Sequence, residues 1–188
     1  MEGAGTLEVL ISETAIRARV TELAAEITRD YAGRDVVLVC LLKGAVIFAS
    51  DLARAIRLPV RLEFVRAASY GAGRVSSGEV RIEETDGIDR AALASAVAGG
   101  EVLVVEDIVD SGRTLGRILS HVQDLGARSA EVCTLLYKDR NVDHPFGVRY
   151  IGFRIEDRFV VGYGLDFAER YRNLPYVAVL EDRDLPGV

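Results

Sequence analysis

Residues 102–115 read Val102-Leu103-Val104-Val105-Glu106-Asp107-Ile108-Val109-Asp110-Ser111-Gly112-Arg113-Thr114-Leu115. Four apolar residues in a row, without alternation, predict a strand buried on both faces, as in a parallel sheet. Two adjacent carboxylates, Glu106 and Asp107, end that strand, and residues 106–112 form a loop. Asp110-Ser111-Gly112-Arg113-Thr114 then turns into a helix carried by Leu115, Ile118, Leu119 and Val122, with Gly126 as its cap. Backbone N–H groups of such a turn converge at the helix N-terminus and bind a phosphate, and the Ser111 and Thr114 hydroxyls add donors. A pair of acceptors beside a phosphate cradle suits vicinal hydroxyls, so the string suggests a ribose 5-phosphate. A plainer reading makes Asp110 or Ser111 the N-cap of an ordinary helix; it leaves the Glu106-Asp107 pair unexplained.

The same strand, turn and helix unit occurs upstream. Val36–Leu42 is an unbroken apolar run, Lys43-Gly44 breaks it, and Ala45, Phe48, Ala49, Leu52 and Ile56 follow at helical spacing. Before it, Ser12-Glu13 opens a helix carried by Ile16, Val20, Leu23, Ala24 and Ile27, with Gly33 as its C-cap. A third buried strand covers 132–137, and shorter ones are expected at 60–65, 79–82, 148–153 and 176–180. Residues 69–78 are small, polar and glycine-rich, which reads as loop filler or as a mobile lid. Residues 83–100 read as a surface insertion with a short alanine-rich helix at 90–97. The fold class is α/β: an open, mostly parallel twisted sheet flanked by helices. In such sheets ligands bind beyond the carboxyl ends of the strands.

Composition narrows the function. The chain has 188 residues, 49% hydrophobic and 28% charged, enough for one domain (1–188) with its own core. Its 29 acids against 23 bases give a net charge of -6. A general nucleic-acid or membrane-surface binder needs the opposite excess. Cys40 and Cys133 each lie inside an apolar run, as core thiols of a reducing compartment do. The N-terminal segment lacks the pattern of a secretion signal, and no apolar window is long enough to span a bilayer. The expected location is cytoplasmic.

At residues 102–115 the chain resembles the type I phosphoribosyltransferases. Leu41-Leu42-Lys43-Gly44-Ala45, Ser69-Tyr70-Gly71 and the stretch from Phe159 to Tyr176 (FVVGYGLDFAERYRNLPY) narrow the resemblance to the hypoxanthine-guanine phosphoribosyltransferases. The likeness runs from the first helix to Leu180. It implies the type I fold with a small hood, and a reaction joining hypoxanthine or guanine to 5-phosphoribosyl diphosphate. On this resemblance Glu106 and Asp107 hold the ribose hydroxyls, and Asp110 is the acid/base residue near purine N7. Ser111, Gly112, Arg113 and Thr114 wrap the 5-phosphate. Lys43 and Gly44 belong to a pyrophosphate loop in which the family often has a cis peptide between Leu42 and Lys43. Ser69 and Tyr70 are the tip of a closing lid, which reverses the filler reading of 69–78.

The resemblance further implies that Lys138 donates to the purine 6-oxo group, Phe159 stacks on the base and the Val160 backbone reads its edge. Arg172 binds pyrophosphate, and Mg2+ is held by Glu106, Asp107 and Asp166. Taken singly, Lys138 reads as a solvated strand-end lysine, Phe159 as core, and Asp166 with Arg172 as a surface ion pair of little worth. His121 and His144 carry neither nucleophile nor metal-ligand spacing and are not assigned to catalysis. The implied partners are the sugar diphosphate and a 6-oxopurine, in a homodimer or homotetramer. Two other readings compete: a nucleic-acid-binding regulator on the same fold, which the net charge disfavours, and a transferase for xanthine or another base.

Overall fold

The computed structural model describes residues 7–69, 80–82, 90–139 and 145–181. The elements are β1 (Glu8–Ile11), α1 (Glu13–Asp30), β2 (Val36–Leu42), α2 (Val46–Ala55), β3 (Val60–Ser69), β4 (Val80–Ile82), α3 (Arg90–Val97), β5 (Glu101–Val109), α4 (Arg113–Asp124), β6 (Ser129–Lys138), β7 (Tyr150–Ile155), β8 (Val160–Val161) and β9 (Val177–Val179). The main sheet has the order β4-β3-β2-β5-β6-β7. Five of its strands are parallel and β4 runs antiparallel to β3. A second, antiparallel sheet of order β1-β9-β8 forms the hood. The chain moves from β2 outward to β3 and returns on the other side as β5, so the strand order reverses between β2 and β5. Ligands of open sheets settle at such a reversal.

Strands buried on both faces divide the core in two. Leu38, Cys40, Leu103, Val105 and Leu135 join Ile16, Leu23, Phe48 and Leu52 of α1 and α2. Val37, Val39, Val102 and Val104 face Val97 of α3 and Leu115, Ile118 and Val122 of α4. Both cysteines are free and buried, and burial pushes the Cys40 thiol up to about 12.

Four expectations need correction. Residues 106–109 belong to β5, because Glu106, Ile108 and Val109 stay in register with Thr134, Leu136 and Tyr137 of β6; the loop is only 110–112. Gly33 is not the cap of α1. Tyr31 is the cap residue, and Gly33, at φ +77°, lies in the turn beyond. Gly126 does close α4: its N–H donates to Gln123 O, and that of Ala127 donates to Val122 O, a Schellman ending. The helical part of 83–100 is not a surface excursion, since α3 buries Leu93, Ala96 and Val97 against the sheet. Finally, β7 starts and ends two residues later than expected, and β1 and β8 carried no apolar run long enough to announce them. Residues 83–89 and His144 lie outside the described residues. No helix among the described residues is long and apolar enough to cross a membrane.

Candidate active site

A cleft of about 330 Å3 opens at the reversal point, lined by Leu41, Leu42 and residues 106–115. Its floor is the N-terminus of α4. The N-cap is Gly112, in the left-handed region at φ +68°, and no side chain caps the helix. The capping role considered for Asp110 or Ser111 is therefore ruled out. The first N–H groups of α4 have no partner within the helix and face the cleft their own residues line. With the positive end of the helix dipole behind them, they suit a phosphate.

Beside this floor stand Glu106 and Asp107. The Ile108 N–H donates to Asp107 Oδ1 at 2.8 Å, and the Asp107 N–H donates to Glu106 Oε1 at 3.3 Å. Burial, reinforced by the neighbouring Asp107 charge, holds the Glu106 carboxyl well above its usual range. Asp107 is also raised by burial, although hydrogen bonds and the Arg172 guanidinium oppose the shift. Two carboxylates short of countercharge favour a cation or hydroxyl donors. The donor set fits magnesium only in part. Among the described residues no group of three acidic, histidine or cysteine side chains could hold a metal, so Asp166 does not complete a cage with Glu106 and Asp107. Mg2+ ordinarily takes one or two carboxylates and fills its other positions with water and substrate phosphate. The Glu106-Asp107 pair meets that lesser requirement.

Across the cleft, the Leu42–Lys43 peptide is cis. Gly44 packs its backbone on Asp107, and the hood segment 162–172 closes on Gly44. Arg172 Nη1 donates to Gly164 O at 2.8 Å and Nη2 pairs with Asp166 Oδ1 at 2.8 Å. Arg172 Nε is buried with no hydrogen-bond partner among the described residues. Asp166 and Arg172 are thus a half-buried pair rather than a solvated one. Lys43 Nζ reaches both Glu169 carboxylate oxygens at 3.1 Å, and Glu169 Oε1 also lies 3.5 Å from Arg172 Nη2.

Beside Asp110 of the cleft lining, Lys138 is 7% exposed, which removes the solvated-lysine reading. Its Nζ lies 3.3 Å from Asp110 Oδ2 and 3.0 Å from Asp157 Oδ1. Phe159 is 44% exposed, so it is not core. Its ring meets Phe167 edge-on at 5.8 Å. Val160 is buried on β8, paired with Val179. His121 lies in the last turn of α4, away from the cleft.

The backbone of Ser69 ends β3, whereas Tyr70 lies outside the described residues. Three residues of the site escaped the sequence reading. Gly164 stands between two other candidates and is one of 18 glycines. Asp157 and Glu169 are acids among neighbours of both charges, Arg158 and Arg170 following them directly. Their only signal was proximity, two residues before Phe159 and three before Arg172.

The phosphoribosyl transferase domain model matches residues 10–168. The chain is 44% identical over 181 residues to a hypoxanthine-guanine phosphoribosyltransferase of Mycobacterium tuberculosis, covering 93% of this chain and 86% of that one. It is 42% identical over 174 residues to the bifunctional protein TilS/HprT of Listeria monocytogenes, of whose length it spans 26%. A crystal structure of a hypoxanthine-guanine phosphoribosyltransferase from Bacillus anthracis superposes with a TM-score of 0.83 at 40% identity, covering 94% of this chain and all of that one.

Proposed function

The chain belongs to the phosphoribosyl transferase family, and from that premise we propose that it joins hypoxanthine or guanine to 5-phosphoribosyl diphosphate, releasing pyrophosphate and IMP or GMP. The observation that carries this reading is the uncapped N-terminus of α4 beside Glu106 and Asp107 in one cleft. A 5-phosphate on the N–H groups brings the ribose hydroxyls to the two carboxylates. The C1–pyrophosphate bond then points toward Lys43, Gly44 and Arg172.

A purine nitrogen forms the new bond to ribose C1 as the bond to pyrophosphate breaks. Positive charge grows on the ribose and negative charge on the leaving group. Arg172, held by Gly164 O and Asp166, meets the leaving charge in a fixed arrangement, and Lys43 joins it as the diphosphate displaces Glu169. Magnesium on Glu106 and Asp107, when bound, supplies further charge for the diphosphate. Asp110 takes the proton that the purine loses, Lys138 donates to the 6-oxo group, and Phe159 stacks on the ring. Exclusion of water, the part that the resemblance gives to Ser69 and Tyr70, protects the sugar diphosphate from hydrolysis. The enzyme works in the cytoplasm as a homodimer or homotetramer, without nucleic-acid or membrane partners.

Calorimetry of 5-phosphoribosyl diphosphate with magnesium tests the reading of the cleft. The wild type is expected to bind, and the double variant Glu106→Gln, Asp107→Asn to bind at least about tenfold more weakly, a loss of ~1.4 kcal/mol. Equal affinity in the two proteins removes the carboxylate pair from the site.

A further inference from the structure

We propose that Asp157 is a positioning residue for base recognition: it holds the Lys138 ammonium for the purine and keeps that ammonium paired when Asp110 takes the purine's proton. The inference rests on the 6-oxopurine transferase reading above. Three parallel strand ends place the groups in one row. Val109 is level with Tyr137, so Asp110 follows β5 where Lys138 ends β6. Lys138 is level with Ile155, and Asp157 lies two residues beyond it. Lys138 Nζ then spans Asp110 at 3.3 Å and Asp157 at 3.0 Å.

A buried ammonium is costly unless paired, and Lys138 is 7% exposed. With Asp110 as its sole partner, two needs would conflict. Before reaction the ammonium would occupy a carboxylate oxygen that must accept a proton. Once Asp110 took that proton, Lys138 would remain as a buried charge without countercharge. The second carboxylate meets the later need, because Asp157 keeps Lys138 compensated once Asp110 is protonated. Asp157 suits this part. Its side chain is 50% exposed, so its outer face stays in water and its charge costs little to keep. It also opens the segment that presents Phe159, which ties the position of the ammonium to that of the stacking ring.

The test compares wild type, Asp157→Asn and Asp157→Glu, and repeats Asp157→Asn on a Lys138→Met background. It reads kcat, KM for hypoxanthine and guanine, KM for the sugar diphosphate, and Tm. Asp157→Asn should raise both base KM values about tenfold or more and leave the sugar diphosphate KM within about twofold, and Asp157→Glu should recover most of the loss. On Lys138→Met the same change should add little, because residues acting as a unit are not additive. A base KM within about twofold of wild type in Asp157→Asn overturns the inference. So does a parallel rise of both KM values with a fallen Tm, or a full additional loss on Lys138→Met. A wild type that transfers to neither base overturns the parent reading itself.

Discussion

Gly164 of the hood rests on Gly44 of the turn after β2: a methyl group at Gly164 would lie 2.0 Å from the Gly44 carbonyl oxygen. Gly44 in turn rests on Asp107, since a methyl group at Gly44 would lie 1.6 Å from Asp107 Oδ2. The hood is therefore stacked backbone to backbone on the turn, and the turn's backbone rests on the Asp107 side chain of β5. Only residues without Cβ allow that approach.

Gly44→Ala should consequently displace the Asp107 carboxylate or the turn itself. Overpacking of this kind costs about 1–3 kcal/mol, so Tm should fall, and KM for the sugar diphosphate should rise with it. Gly147→Ala, where a methyl group meets nothing within 4 Å, is the control and should change neither. An unaltered KM in Gly44→Ala would show that Asp107 has room to move and that the stacking does not position it.

Lys43 and Glu169 form an ion pair beside Arg172, with side chains 49% and 65% exposed; the proposed function puts the diphosphate there. Such exposed pairs are worth at most ~1 kcal/mol, so a diphosphate can displace the carboxylate readily, yet must compete with it. Glu169→Gln should lower KM for the sugar diphosphate by about two- to fivefold, the range that this energy permits. Steady-state kinetics at saturating hypoxanthine reads the effect. A raised KM would instead make Glu169 a support for Lys43.

Asp110 carries the proton-transfer step in this account. Asp110→Asn should lower kcat by roughly 10²-fold or more, the usual scale for a positioned acid/base group, with a smaller change in either KM. Because Gly112 is the cap of α4 and no side chain serves there, the loss cannot be charged to an uncapped helix. A kcat within a few-fold of wild type would leave Asp110 as a partner of Lys138 and nothing more.

The parallel strands were legible in the sequence because burial on both faces demands continuous apolar runs such as Val36–Leu42. The turn into α4 was legible because glycine, hydroxyls and a helix start occur together at 110–114. What stayed hidden depends on the backbone or on distant neighbours. Glu106 and Asp107 break the apolar run, but a β ladder pairs N–H with C=O whatever the side chains, so β5 continues to Val109. In α3, Leu93 and Val97 are four apart and share a buried face, but the alanines between them blurred the contrast that marks an amphipathic helix. Asp157 and Glu169 acquire their significance only when β6 and the cis turn bring Lys138 and Lys43 beside them.

Transfer of phosphoribosyl to a 6-oxopurine chosen by Lys138 is tested by kcat/KM for hypoxanthine, guanine, xanthine and adenine at saturating sugar diphosphate. The wild type and Lys138→Met are compared. An ammonium has donors and no acceptor, so it pairs with a 6-oxo group and opposes the 6-amino group of adenine. A closed site that leaves such a group unpaired can discriminate by ~10⁴-fold. The wild type should strongly prefer hypoxanthine and guanine, and Lys138→Met should lose activity on both. Wild-type turnover of adenine within about tenfold of hypoxanthine, a gap of only ~1.4 kcal/mol, would contradict that role for Lys138.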